Sequence, residues 1–598
     1  MQALLKQKIA EAIGVKPEEV SLTVPEVAEF GHYSTNVAMR LAKEMKKPPF
    51  ELATEFAAKL TDSMFAKVEA VKPGFINIWL SEQFLQAEFA KGGVAQNVGQ
   101  DKTVIVEYAA PNIAKPMHVG HLRSTIIGDA LANIHDYLGF KVIRWNYFGD
   151  WGTQFGKLIT AYKLWGKKEE VEKNPIGTML DLYVRVSSEA KTNPALEDQA
   201  RAEFKKLEDG DAENRKLWEW FKDESLIEFH KMFKRLGVKF DLEIGESFYE
   251  EAIYDVIKEL EQKELLVPGE IYNANATNGE TNATNKEEGS SKIVKLDQFK
   301  LPPALIQKSD GASLYITRDI ASMKHRLSRY KPAKLLYVVA NQQALHFEQL
   351  FAITDLLGLN GGLNPRATGD TRARPDGSPK TEKKHVKFGM VLGEDGKKFA
   401  TREGKLIKLE DLLDQAVSGA YKVVAEKNRD LSEEERKSVA EAVGIGAIKY
   451  NDLKQDRNTD IVFNWEQMLD LHGDTAPYLQ YTSARLRSIL RKANFQFPIS
   501  NFQLNGENLK LETEIGLMKK VLDFNDVVEL CAQTYYTSHL AKYLFDLAKL
   551  ANGYYENVRI LDDADEARKS SRLALIGKVA ETIEKGLGLL GIRVPERI

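Results

Sequence analysis

The sequence predicts a multidomain α/β protein with an N-terminal α+β segment, a central parallel-sheet domain and an all-helical C-terminal region. Three observations carry this. Thr103-Val-Ile-Val-Glu-Tyr108 is short, apolar and β-branched, as a buried strand is. Leu122, Ile126, Ile127, Ala130, Leu131, Ile134 and Leu138 then recur at helical spacing, Gly139 stops the helix, and Lys141-Val-Ile-Arg-Trp-Asn-Tyr147 follows as a second strand. Strand–helix–strand is the unit of a doubly wound parallel sheet. From about residue 466 the pattern is helical to the end.

Composition bounds the rest. With 598 residues, 43% hydrophobic and 28% charged, the chain has length for three or four cored domains. No apolar run approaches a membrane span, so no membrane role is expected. The first ten residues read as an amphipathic helix without a signal peptide's apolar core, and the single cysteine, Cys531, fits a reducing compartment; a cytoplasmic location is expected. The net charge of −4 gives no global basic footprint, so any RNA contact must use local patches.

In chain order, residues 1–95 form the first domain, with helical patterns around Phe30 to Lys43 and an alternating strand at Gly74-Phe-Ile-Asn-Ile-Trp-Leu80. Residues 96–465 form the second, with charged helices at about 166–300 as an insertion. Gly149-Asp-Trp-Gly-Thr-Gln-Phe-Gly156 reads as a tight loop at the sheet's C-terminal edge, where such folds bind ligands. The stretch 267–292 is polar and of low complexity, a loop that cannot bury enough surface to pack. The sheet is expected to resume at Ala304-Leu-Ile-Gln-Lys308 and to continue at Leu335-Leu-Tyr-Val-Val339. A second polar insert spans about 358–384, and residues 466–598 form the helical third domain.

The chain is organised around the junction from Glu107 to Thr125. Pro116 breaks the backbone just before the helix, whose N-terminus presents free N–H groups and a positive dipole suited to phosphate. His118 and His121 stand there with Gly120 between them. His-x-x-His alone fits cap or surface histidines, and two ligands are too few for a metal site. The whole string says more. His118-Val-Gly-His121 resembles the HIGH signature of class I aminoacyl-tRNA synthetases, and Asn112-Ile-Ala-Lys-Pro-Met-His-Val-Gly-His-Leu-Arg-Ser-Thr-Ile-Ile-Gly128 resembles arginyl-tRNA synthetases in particular.

The resemblance implies a split Rossmann-like catalytic domain, an N-terminal domain that grips the tRNA elbow and a C-terminal anticodon-binding domain. It implies L-arginine, ATP with Mg²⁺, and tRNA(Arg) as partners of a monomer. By the same resemblance His118, Gly120 and His121 meet ATP, with Phe388, Gly389 and Met390 flanking adenine. Tyr315, Asp319 and Glu107 face the guanidinium, Asn112 and Gln343 hold the amino and carboxylate end, and His346 borders the pocket. One departure stands out. The family's usual Lys-Met-Ser-Lys-Ser loop corresponds here to Lys398-Phe-Ala-Thr-Arg402, with Thr401 in place of the second lysine. Lys115, just before the HIGH-type motif, is the residue that takes over in family members with this loss, and Lys397, Lys398 and Arg402 supply the remaining loop charge. The rivals are a small nucleotidylyltransferase with a similar motif, which the flanking domains oppose, and a non-catalytic synthetase-like tRNA-binding protein, which His118, His121, Lys115 and Asp319 oppose.

Overall fold

The structure is a computed structural model. It describes residues 1–25, 27–91, 97–269, 291–308, 311, 313–359, 380–393, 407–495 and 508–598. Most of both polar inserts, and Lys397, Lys398, Thr401 and Arg402, lie outside the described residues. The chain forms two compact units. One comprises residues 97–418 and 455–465, the other 1–96, 419–454 and 466–598.

The first unit is built on five parallel strands. Their order is Leu242–Glu243, Lys141–Asn146, Thr103–Glu107, Lys334–Tyr337, Glu382–His385. Val104, Ile105 and Val106 are buried, as a strand with neighbours on both edges and helices over its faces requires. The chain builds outward from Thr103–Glu107 in one direction, returns, and builds outward from Lys334–Tyr337 in the other. That reversal opens a crevice beyond the carboxyl ends of the two central strands. Glu107 sits in register with Tyr337 at its floor.

Two expectations are corrected. The sheet does not resume at Ala304, because Ala304–Gln307 belongs to a separate antiparallel sheet with Lys292–Val294 and Leu266–Pro268. Its alternation of buried and half-buried residues suits a two-sided antiparallel strand, not one buried on both faces. Leu242–Glu243, inside the stretch read as insertion, is the outer strand of the main sheet. Two residues are too few to show a period.

In the other unit, Leu22–Thr23, Tyr33–Thr35, Phe75–Leu80 and Phe65–Val71 form an antiparallel sheet in that order. The same unit holds the N-terminal helices Gln2–Ile13 and Pro49–Lys59 and the long helices Glu433–Leu453, Ala476–Lys492, Glu512–Thr534, Ser538–Asn557 and Glu566–Leu589. The sheet is tied to the helices by a buried polar contact, where the Tyr33 hydroxyl donates to Asp523 at 2.6 Å. The helix Glu82–Ala90 packs on Glu512–Thr534. Among the described residues no helix is long and apolar enough to cross a membrane.

Candidate active site

The loop leaving Thr103–Glu107 is held in an uncommon shape. Ala109, Ala110 and Ala114 have φ of 71°, 46° and 61°, a region that costs a residue with a Cβ about 1 kcal/mol or more. Three anchors hold it there. The Ala109 N–H donates to Ser124 Oγ at 3.0 Å, and Ser124 Oγ donates to the Val338 carbonyl at 2.6 Å. The Ile113 N–H donates to the Gly149 carbonyl and the Gly149 N–H to the Pro111 carbonyl, at 3.0 and 3.1 Å. The Ala114 N–H donates to Ser225 Oγ at 3.0 Å. The loop thereby presents Asn112 exposed and Lys115 half-buried, with the Lys115 ammonium 5.3 Å from the Tyr183 ring centre.

His118 caps the helix Val119–Tyr137, and the two histidines form a reciprocal box. The Gly120 N–H donates to His118 Nδ1 at 3.0 Å, and the His118 N–H donates to His121 Nδ1 at 3.1 Å. Both Nδ1 atoms therefore act as acceptors, which leaves each proton on Nε2. Burial lowers the pKa of His118, and burial with the neighbouring His118 ring pushes His121 down to about 3. Near neutral pH both rings are uncharged Nε2–H donors, tilted 38° to each other with centres 4.0 Å apart. A Cβ at Gly120 would stand 2.8 Å from His118 Cε1, so a side chain here would displace the capping ring.

Carboxylates gather on the far side of the crevice. Asp319, in the second turn of the helix Tyr315–Tyr330, accepts from His346 Nε2 at 2.7 Å. Tyr315 is 62% exposed one turn earlier, and Gln343 is exposed at the start of the helix that carries His346. Glu107 is buried against the guanidinium of Arg326, which lies 4.3 Å from the Trp145 ring centre. Burial pushes the Glu107 carboxyl upward and Arg326 opposes that push. Sequence reading missed Glu246. Burial, then the charge of Asp319, pushes its carboxyl up to about 8. No local pattern marks Glu246; only the fold brings it to Asp319.

Phe388 and Gly389 are buried and Met390 half-buried. The Asn341 N–H donates to the Phe388 carbonyl at 3.0 Å, the Gly389 N–H to Arg457 O at 2.9 Å and the Met390 N–H to Asp460 Oδ1 at 2.6 Å. Arg123 lies 5.6 Å from the Phe388 ring centre and donates to the Thr459 carbonyl at 3.0 Å. The segment Phe388–Met390 is thus fixed to the helix Val119–Tyr137 through Arg123. Ile407, five residues after Arg402, accepts from the Val119 N–H at 3.3 Å, and the Leu409 N–H donates to Met117 at 2.9 Å. The chain leaving residues 394–406 therefore returns beside His118.

The chain is similar to known proteins along its whole length. The family profile described as tRNA synthetases class I (R), catalytic domain, matches residues 84–465. The arginyl-tRNA synthetase N-terminal domain matches 1–80 and the DALR anticodon binding domain 479–598. An arginine–tRNA ligase of Streptococcus suis is 41% identical over 584 residues, covering 96% of this chain and 95% of that protein. One from Fusobacterium nucleatum is 41% identical over 589 residues, covering 97% and 95%. The solved arginyl-tRNA synthetase of Thermus thermophilus superposes with a TM-score of 0.81 at 25% identity, covering 100% of both chains. With matches over its full length, the chain belongs to the arginyl-tRNA synthetases, the class I arginine–tRNA ligases.

Proposed function

We propose that this chain activates L-arginine with ATP and transfers it to tRNA(Arg) through the residues of this crevice. In the first step an arginine carboxylate oxygen attacks the α-phosphorus of ATP, a P–O bond to pyrophosphate breaks, and arginyl-adenylate forms. In the second the 2′-hydroxyl of the terminal adenosine takes the arginyl group and AMP leaves. Both reactants of the first step are anions, so positioning and charge neutralisation govern its rate. His118 and His121 offer neutral Nε2–H donors at a helix N-terminus, which bind phosphate without repelling Lys115. Lys115, Lys398 and Arg402 supply cationic charge, Phe388, Gly389 and Met390 border adenine, and Gly120 leaves the phosphate side open. Mg²⁺, when bound with ATP, shields the phosphate oxygens while keeping much of its own water.

Across the crevice, Asn112 and Gln343 hold the amino and carboxylate end. Tyr315, Asp319 and Glu246 take the guanidinium, and Glu107 adds negative field while fixing Arg326. The observation that carries the reading is the pairing of the neutral histidine box with a carboxylate cluster across one sheet crevice. On the helical side, Arg485 lies 4.9 Å from the Tyr481 ring centre and 5.4 Å from that of Tyr555, a stacked plate suited to unpaired anticodon bases. The reading has the enzyme acting as a cytoplasmic monomer, which the buried lone Cys531 suits.

ATP–pyrophosphate exchange with each of the twenty amino acids tests this. Exchange is expected with arginine alone, and only when tRNA(Arg) is present, because the loop carrying Thr401 leaves the site incomplete until tRNA docks. Exchange with another amino acid, or none with arginine and tRNA, overturns the assignment; exchange with arginine in the absence of tRNA removes only the tRNA requirement.

The Glu246 carboxyl gives a pH signature. With its pKa at about 8 it is protonated at neutral pH before substrate binds, and a guanidinium favours its ionised form. Below about pH 8 arginine binding must therefore expel a proton. The arginine KM is expected to fall by at most about tenfold per unit as pH rises from 6.5 to 8, then level. Glu246→Gln should flatten this profile, and an unchanged profile in that variant would assign the titration elsewhere.

A further inference from the structure

We infer that Asp150 is a positioning residue that fixes the span between the two ends of the amino-acid pocket. The inference rests on the arginine-binding reading above and deepens it. Phe148-Gly149-Asp150 touches both ends. Toward the amino and carboxylate end, Gly149 exchanges two backbone hydrogen bonds with Pro111 and Ile113, and a Cβ on Gly149 would stand 2.3 Å from Asn112 Oδ1. Toward the guanidinium end, the Phe148 carbonyl accepts from the Glu246 N–H at 3.2 Å. Asp150 Oδ1 accepts from the Ser247 N–H at 2.9 Å and Oδ2 from the Ser247 hydroxyl at 2.7 Å. A Cβ on Gly245 would stand 2.2 Å from Asp150 Oδ2, so the carboxylate closes on both neighbours of Glu246.

Asp150 is 1% exposed, and its backbone carbonyl accepts from Trp218 Nε1 at 2.7 Å. A buried carboxylate costs desolvation that an apolar side chain would avoid. What it supplies here is directional: two acceptor oxygens that hold the turn Gly245–Ser247 at one distance from Asn112. The turn is further held by the Phe248 N–H donating to the Gly245 carbonyl at 3.3 Å, but only the Asp150 bonds and the Phe148 carbonyl join it to the Phe148–Asp150 segment. A pocket whose ends are fixed in this way measures the length of the substrate. It should reject homoarginine, which carries the same guanidinium on a chain one methylene longer.

The test is tRNA charging by the full-length enzyme with arginine and homoarginine. Asp150→Asn turns one acceptor into a donor facing Ser247. It should raise the arginine KM by about tenfold, leave the ATP KM within about twofold, and cut the kcat/KM preference for arginine over homoarginine by about tenfold. Ser247→Ala keeps the backbone bond and loses only the hydroxyl bond. It should move both quantities the same way by a smaller factor at an unchanged melting temperature, and it decides the matter if Asp150→Asn does not fold. A folded variant with wild-type arginine KM and wild-type preference overturns the inference, as does an equal rise of the arginine and ATP KM. A wild-type enzyme that charges no arginine overturns the ligase reading itself, and so the two failures are distinguishable.

Discussion

Lys115→Ala is expected to lower kcat by about two to three powers of ten, the loss that follows removal of one donor to a developing oxyanion. The expectation starts from a missing residue. By the resemblance, Thr401 stands where the usual class I loop has its second lysine, and on the proposed reading that loop lacks one cation for pyrophosphate. Lys115 stands three residues before His118 on a loop pinned at Ala109, Ile113 and Ala114. Among the described residues it makes no ion pair; its ammonium lies only over the Tyr183 ring, which leaves its charge for a ligand. A surface lysine without a role would cost almost nothing on truncation. Negative charge gathers on the phosphates as the P–O bond breaks, so the lysine acts mainly in the transition state and the arginine and ATP KM should move much less than kcat. Thr401→Lys in the Lys115→Ala background should recover part of the rate. Wild-type kcat in Lys115→Ala, measured where the chemical step limits, would return the role to Lys397, Lys398 or Arg402.

What the sequence showed of this site followed locality. Glu107 to Thr125 is one continuous strand, loop and helix, so its motif and its buried strand could be read together, and the capping histidines lie in register because their spacing is helical. The long helices of residues 466–598 carry enough turns to declare their period. Short or distant features did not. Leu242–Glu243 is a two-residue strand, and Ala304–Gln307 is apolar enough to pass for a central strand until its antiparallel partners are seen. Asp150 meets Ser247, beside Glu246, only through contacts distant in sequence, and Arg326 is an arginine in a basic helical segment until folding buries it against Glu107. The histidine tautomers follow from backbone N–H directions, which no residue pattern contains.

Asp319→Ala is expected to raise the arginine KM by about a hundredfold while leaving the ATP KM nearly unchanged, since truncating one partner of a hydrogen-bonded charge pair costs several kcal/mol. An isolated aspartate near a helix start is often a cap, but here Leu314 holds the cap position and Asp319 lies in the second turn. The helix therefore does not depend on it, and its carboxylate is free to serve a ligand. His346 Nε2 occupies Oδ2 at 2.7 Å and so orients the group. Tyr315, four residues earlier, lies on the same helical face. A planar guanidinium can meet such a carboxylate with two parallel N–H bonds, whereas the compact ammonium of lysine cannot fill a two-pronged site. The variant should accordingly lose most of its discrimination between arginine and lysine as well as its affinity. Steady-state charging with each substrate varied in turn decides it: equal rises in the arginine and ATP KM would mean that Asp319 supports the whole crevice, and that the guanidinium is read by other groups.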